Sequence, residues 1–171
     1  MRAMTVEPEI VQGEQPEDTL QKAIVMEIRS LLDRAACRYV LLENFGLDIA
    51  VFIQDRNQQH TYFLELKAFV GSRGGGVGFG NRSGQGLQVD LLLCSEQELQ
   101  VVDSCIRWVL VDGTRQWGTK RYAMFTCIEA RQAVMGRVAR GKQNNLKVNA
   151  FADRLLSWDQ LSATLGEFLL A

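Results

Sequence analysis

The chain has 171 residues, 47% of them hydrophobic and 23% charged, with a formal net charge of -1. That length supports one globular domain with a core of its own, or one domain plus a modest C-terminal extension, which leaves two full domains crowded. No apolar run approaches the roughly 18 residues a membrane span requires, and the near-neutral charge supplies no global positive field for a polyanion.

Residues 1–15 are polar and acidic, carrying Glu7, Glu9 and Glu14, while Arg131, Arg137, Arg140, Lys142 and Lys147 cluster late, so a local basic face is compatible with the neutral sum. The four cysteines, Cys37, Cys94, Cys105 and Cys127, form no CxxC pair and read as small buried hydrophobes. Met1-Arg2-Ala3-Met4 leads into acids rather than an apolar signal segment, and the expected setting is a reducing cytoplasm with no membrane partner.

Pro16-Glu17-Asp18 carries a helix-start signal, proline in the first turn with acids beside it. A helix is predicted from there to about Ala36. Leu20, Ile24, Leu31 and Ala35, reinforced by Ala23, Ile28 and Leu32, form its apolar face at spacings of three and four. Glu27 falls within that face or at its margin.

Three strands are predicted next, over residues 38–43, 47–54 and 61–69, with a polar turn at 55–59, as an antiparallel meander. On the second, Leu47, Ile49, Val51 and Ile53 share a face and leave Asp48 on the other; on the third, Leu64, Leu66 and Ala68 oppose Phe63, Glu65, Lys67 and Phe69. If both aliphatic rows meet one core, directly opposed residue numbers sum to an odd value near 113 to 115 by the turn geometry. Asp48 then faces Glu65 or Lys67.

Half of the positions in 71–86 are glycine, interrupted by Arg73, Phe79, Asn81 and Arg82. The stretch lacks G-x-x-x-x-G-K-[ST] and G-x-G-x-x-G, which disfavours the familiar nucleotide cradles. A flap closing on a nucleic-acid backbone through Arg73 and Arg82 competes with a passive surface loop. Residues 85–94 are ambiguous between helix and strand. Ser95 and Glu98 match a capping box for a helix to Asp103, residues 106–111 read as a buried strand, 121–129 as another, and the rest as helical. The organisation is a polar segment (1–15), a core (16–113) and a C-terminal strand with helices packed on that core (114–171).

Burying a carboxylate is expensive unless a partner or metal compensates it. Asp48, Glu65 and Lys67 inside apolar strands therefore suggest a divalent-metal centre with a neighbouring base. Magnesium takes hard oxygen donors and keeps several waters, so two carboxylates and a substrate phosphate hold it. Such an ion makes water more acidic, and a lysine beside it orients or deprotonates the nucleophile, or stabilises the charge of the phosphorane. Two residues from Glu65, Lys67 points the same way.

A helix with Glu27, a strand, a strand with Asp48, a strand with Glu65-Leu66-Lys67, then a helix and a further strand: in this order residues 17–112 resemble the PD-(D/E)xK nuclease superfamily, also called the restriction-endonuclease-like fold. Leu47 stands where the family name has proline, a position that constrains only backbone. The resemblance implies an α/β fold with a central mixed sheet containing an antiparallel meander and flanked by helices. It implies Asp48, Glu65 and the helical Glu27 as metal ligands for Mg (or Mn), Lys67 as the catalytic lysine, and Gln85 or Gln88 on the next helix as bordering residues. The expected function is a metal-dependent endonuclease hydrolysing DNA phosphodiesters, of restriction or repair and recombination type, with a homodimer possible.

Two further classes stay open on the residues alone: a non-catalytic DNA-binding or assembly module on the same fold, and a small-ligand protein whose glycine-rich loop encloses a phosphate. His60, the sole histidine, reads as a surface turn residue, which disfavours a His-dependent triad or multi-His zinc site. Arg137, Arg140, Lys142 and Lys147 fit phosphate contacts and a solvated helix end equally well.

Overall fold

In the computed structural model the described residues are 16–55, 58–69, 76–79, 86–113, 119–135, 138–139 and 144–171. Helix α1 (Pro16–Arg34) opens with Glu17 and Asp18 in its first turn and ends with Arg34 in its last, charges that oppose the helix dipole at each end. Leu20, Ile24, Ile28 and Leu32, each four residues from the next, are at most 2% exposed. The helix stops where Ala36 takes φ 55°, with Cys37 N–H donating to the Leu32 carbonyl and Ala36 N–H to that of Asp33. This is a Schellman closure with alanine in the left-handed position usually held by glycine.

Strands β1 (Arg38–Phe45), β2 (Leu47–Asp55) and β3 (Gln58–Phe69) follow as an antiparallel meander. Strand β4 (Gly76–Phe79) leaves that sheet, and helices α2 (Leu87–Leu93) and α3 (Glu96–Asp103) carry the chain across so that β5 (Ile106–Asp112) pairs with β3 in parallel. A parallel pair needs such a crossover. Strand β6 (Tyr122–Phe125) pairs antiparallel with β5, giving the order β1-β2-β3-β5-β6. Helix α4 (Cys127–Ala133), strands β7 (Val134–Met135) and β8 (Asn144–Lys147), a 3-10 segment (Val148–Arg154) and helix α5 (Trp158–Leu169) complete the order; β4, β8 and β7 form a small second sheet.

The fold is thus α/β, a mixed five-stranded sheet with helices on both faces. On one face α1 and α5 pack over Ile49, Val51, Ile53, Leu64, Leu66 and Val109. On the other, α2, α3 and α4 cover Phe69, Trp108, Leu110 and Phe125. Residues that alternate along β3 and β5 feed the two cores in turn, as the twofold period of a strand requires. All four cysteines are free thiols. Cys127 is fully buried and accepts a bond from the Trp108 indole at 3.3 Å, and burial pushes its thiol up to about 11, so it serves as packing.

Two readings of the sequence are corrected. The strand expected over 121–129 ends at Phe125, because Thr126 accepts from Glu129 N–H and Glu129 returns a bond to Thr126 N–H, a capping box that starts α4. The segment expected to be wholly helical after it contains β7 and β8. Within the ambiguous stretch 85–94, Leu87–Leu93 form helix α2.

Candidate active site

The site originates in a strand that departs. The β2–β3 ladder runs from Asp55 opposite Gln58 to Ile49 opposite Leu64 and ends there, while β3 continues along β5 until Phe69 lies opposite Asp112. Phe63 N–H donates to the Cys105 carbonyl on the β5 side, so the N–H groups of Leu64, Leu66 and Ala68 point toward β2. Beyond Leu64 the ladder no longer serves them. Carboxylates do: Asp48 Oδ2 accepts from Leu66 N–H at 2.6 Å, and Glu17 Oε2 from Ala68 N–H at 3.3 Å.

The departure has a local cause. Asn44 (φ 57°) and Gly46 (φ 82°) take left-handed backbone in the β1–β2 turn, conformations that asparagine and glycine tolerate best. Register passes from Glu43 opposite Ile49 to Phe45 opposite Leu47, and Leu47 turns to the α2 side. The sequence pattern grouped Leu47 with Ile49, Val51 and Ile53; it packs in the other core.

Glu65 and Lys67 point to the α2 side of β3 and are buried, at 2% and 7% exposure. Lys67 Nζ donates to Glu65 Oε1 at 2.8 Å, and the Gln88 amide from α2 donates to the same oxygen. Burial, above all, drives the Glu65 carboxyl up to about 7; the Asp48 and Glu17 charges push the same way, and Lys67 opposes them. Glu17 is likewise raised, first by burial, with Asp48 and Asp18 adding to it and Lys67 and its bond to Ala68 opposing. Three acids and one ammonium therefore share one electrostatic environment.

The structure brings together Asp48, Glu65 and Lys67, and adds Gln88. Glu27 is not in the group, which corrects its expected role on the helix. It sits ten residues past Glu17, about 15 Å along the axis at 1.5 Å per residue. There it is buried against α5, accepting from Ser162 Oγ at 2.5 Å with Arg34 at 3.7 Å. Glu17, in the first turn of the same helix, joins the group instead. Sequence reasoning registered it only as a helix-start signal, yet topology pointed to it: α1 runs back along β1, so its first turn lies at the end of the sheet where β2 begins.

Arg73, Arg82 and Gln85 lie outside the described residues, as do Arg137, Arg140 and Lys142. His60 sits near the β2–β3 turn, stacked at 6.2 Å on Tyr62. A shallow hollow lined by Arg38, Gln54 and Gln59, among others, lies at the far end of β2 from Asp48 and takes no part.

Among the described residues no three His, Cys, Asp or Glu side chains are gathered tightly enough to enclose a metal by themselves. The donor chemistry nevertheless fits a hard divalent cation: oxygen ligands without histidine or thiolate, and more negative than positive charge on residues that raise one another's proton affinity. No protein-family model matches the chain, nor does any curated protein or solved structure. No helix among the described residues is long and apolar enough to cross a membrane.

Proposed function

We propose that this chain is a divalent-metal-dependent nuclease that hydrolyses phosphodiester bonds in DNA, an endonuclease of the PD-(D/E)xK kind. The observation that carries the reading is the pairing of Lys67 with Glu65 beside Asp48 and Glu17, where β2 parts from β3. A structural sheet gains nothing from leaving two β3 amides to carboxylates and burying a third acid with a lysine.

Asp48, Glu65 and Glu17 would hold Mg or Mn, which supplies Lewis-acid polarisation of the scissile phosphate and lowers the pKa of water. The protein's own groups do the rest. Asp48 and Glu17, anchored through β3 amides, fix where the acids sit relative to the strand. Gln88 holds the Glu65 carboxylate in one orientation from α2. The Lys67 ammonium has three donors and spends one on Glu65. Its remaining protons are available to an attacking oxygen or to charge developing on a pentacovalent phosphorus.

The test is cleavage of plasmid and branched DNA with Mg²⁺ or Mn²⁺ by the wild type and by Lys67→Ala. Metal-dependent cleavage that survives the substitution unchanged rejects the assignment. DNA binding without cleavage, together with no Mn²⁺ binding dependent on Asp48 and Glu65, would leave a non-catalytic DNA-binding module.

A further inference from the structure

The two margins of the main sheet are finished differently. Beside β6, Leu156 forms a bridge with Tyr122: its N–H donates to the Tyr122 carbonyl at 2.7 Å, and its carbonyl accepts from Tyr122 and Arg121 at 3.1 Å. Beside β1, among the described residues, no strand occupies the outer edge. β1 is eight residues long, contains no proline, and is exposed at Val40 (55%) and Leu42 (38%). Natural sheets blunt such edges with proline, short strands, bulges or inward charges. From Arg38 to Glu43 this one has no proline and no bulge, and its two charges, Arg38 and Glu43, stand at the ends of the stretch, leaving Tyr39 to Leu42 uncharged.

Hydrogen-bond phase fixes what the edge offers. Odd residues of β3 address β5, so Leu64 opposite Ile49 is a bonded pair and the even residues of β2 address β1. Through Val40 opposite Phe52, the even residues of β1 point inward. Tyr39, Leu41 and Glu43 therefore direct their N–H and C=O groups outward.

We propose that β1 docks antiparallel on β1 of a second copy of this chain, across a twofold axis perpendicular to the sheet, continuing one sheet through both protomers. Such an axis keeps the faces aligned, so opposed residues must share a face. The register that centres Leu41 on the partner's Leu41 uses all three outward-directed residues, pairing Tyr39 with the partner's Glu43. It also sets Val40 beside the partner's Leu42 and gathers the exposed apolar side chains into one row. Arg38 meets the partner's Asn44, and no like charges are opposed. This self-complementarity selects a second copy over a foreign strand. The inference goes beyond the nuclease reading and does not rest on it.

Sedimentation velocity of the full chain across a concentration series tests it. The wild type is expected to be a dimer, and Val40→Lys/Leu42→Lys a monomer with unchanged circular dichroism. A wild type that stays monomeric throughout, or a lysine variant that stays dimeric, overturns the proposal. Disulfide trapping checks the register without relying on that variant. Val40 and the partner's Leu42 form a non-hydrogen-bonded pair with Cα atoms about 4.5 Å apart, within disulfide reach. Mild oxidation of Val40→Cys/Leu42→Cys should give a linked dimer on a non-reducing gel, in excess of wild type and of either single variant. No such excess would overturn the pairing.

Discussion

Lys67 Nζ stands 2.8 Å from Glu65 Oε1 with the two side chains 8% and 2% exposed, an ion pair between residues two apart on one strand and sealed from solvent. The pair keeps an ammonium in a place where an apolar residue would pack at less cost. Buried ion pairs are weak contributors to stability, since desolvation cancels much of the attraction. On the proposed nuclease reading its value lies in chemistry. Lys67→Met, which keeps the stem and removes the charge, is expected to lower phosphodiester cleavage by at least about a hundredfold, the range of a lost proton-transfer or charge-stabilising group. The folded state should survive, because the Glu65 carboxyl, already raised to about 7 by burial, rises further once Lys67 no longer lowers it, and so takes up a proton rather than remaining a bare charge. Single-turnover cleavage and urea denaturation of the same protein check both halves.

The Glu65 carboxyl, pushed up to about 7 from the ordinary 4.5, makes the stability of the protein sensitive to pH. The folded form keeps its proton to higher pH than the unfolded chain. Its contribution to stability is complete below about pH 4.5, shrinks as pH rises toward 7, and is gone above it. A difference of that size corresponds to roughly 3 kcal/mol. With a chelator present, the wild type should lose about that much more stability than Glu65→Gln between pH 4.5 and 8. Mg²⁺ should restore part of the loss at pH 8, since a cation takes the deprotonated carboxylate. Parallel curves for the two proteins would show that Glu65 does not titrate in this window.

The two glutamates of α1 give opposite expectations. Glu17 reaches β3 through Ala68 N–H and shares charge with Asp48 and Lys67; Glu27 is bound to Ser162 on α5. Glu17→Gln should weaken Mn²⁺ binding by about tenfold or more, as losing a ligand or a group that orients one does. Glu27→Ala should leave that binding near wild type and cost about 1 to 3 kcal/mol of stability through the unmatched Ser162 hydroxyl and lost packing. Calorimetric titration and denaturation of both variants separate the roles. An exchanged pattern would return the helical ligand to Glu27.

Much of this arrangement could be read before any coordinates. Four-residue spacing placed α1 and its buried face, and strand parity placed Glu65 and Lys67 together on the face away from Leu64 and Leu66. The expected register sum of 113 to 115 is met at 113 by Ile49 opposite Leu64. The part that stayed hidden depends on backbone a pattern does not encode. Left-handed Asn44 and Gly46 carry Leu47 into the opposite core, and only then does Asp48 cap Leu66 N–H instead of lying flat in a ladder. Glu27 looked functional because an acid in an apolar stripe is conspicuous; a hydroxyl 135 residues away explains it. The Thr126–Glu129 capping box is a local signal, overlooked because the apolar run of β6 flows straight into α4.

Ala36 offers a test of the fold apart from the chemistry. At φ 55° it occupies the left-handed position that closes α1, with its own N–H and that of Cys37 bonded back to the helix at 3.1 Å. A Cβ in this conformation costs roughly 1 to 2 kcal/mol relative to glycine. Glycine gives back about 0.4 to 1 kcal/mol through the greater freedom of the unfolded chain. Ala36→Gly should therefore stabilise the protein by about 0.5 to 1 kcal/mol, a shift of a few degrees in Tm for a chain of this size. Ser30→Gly, on the exposed side of the same helix, should move the other way by about 0.5 kcal/mol. Urea midpoints of the two variants decide it: if both fall together, the loss is ordinary glycine entropy and the closure at Ala36 carries no strain.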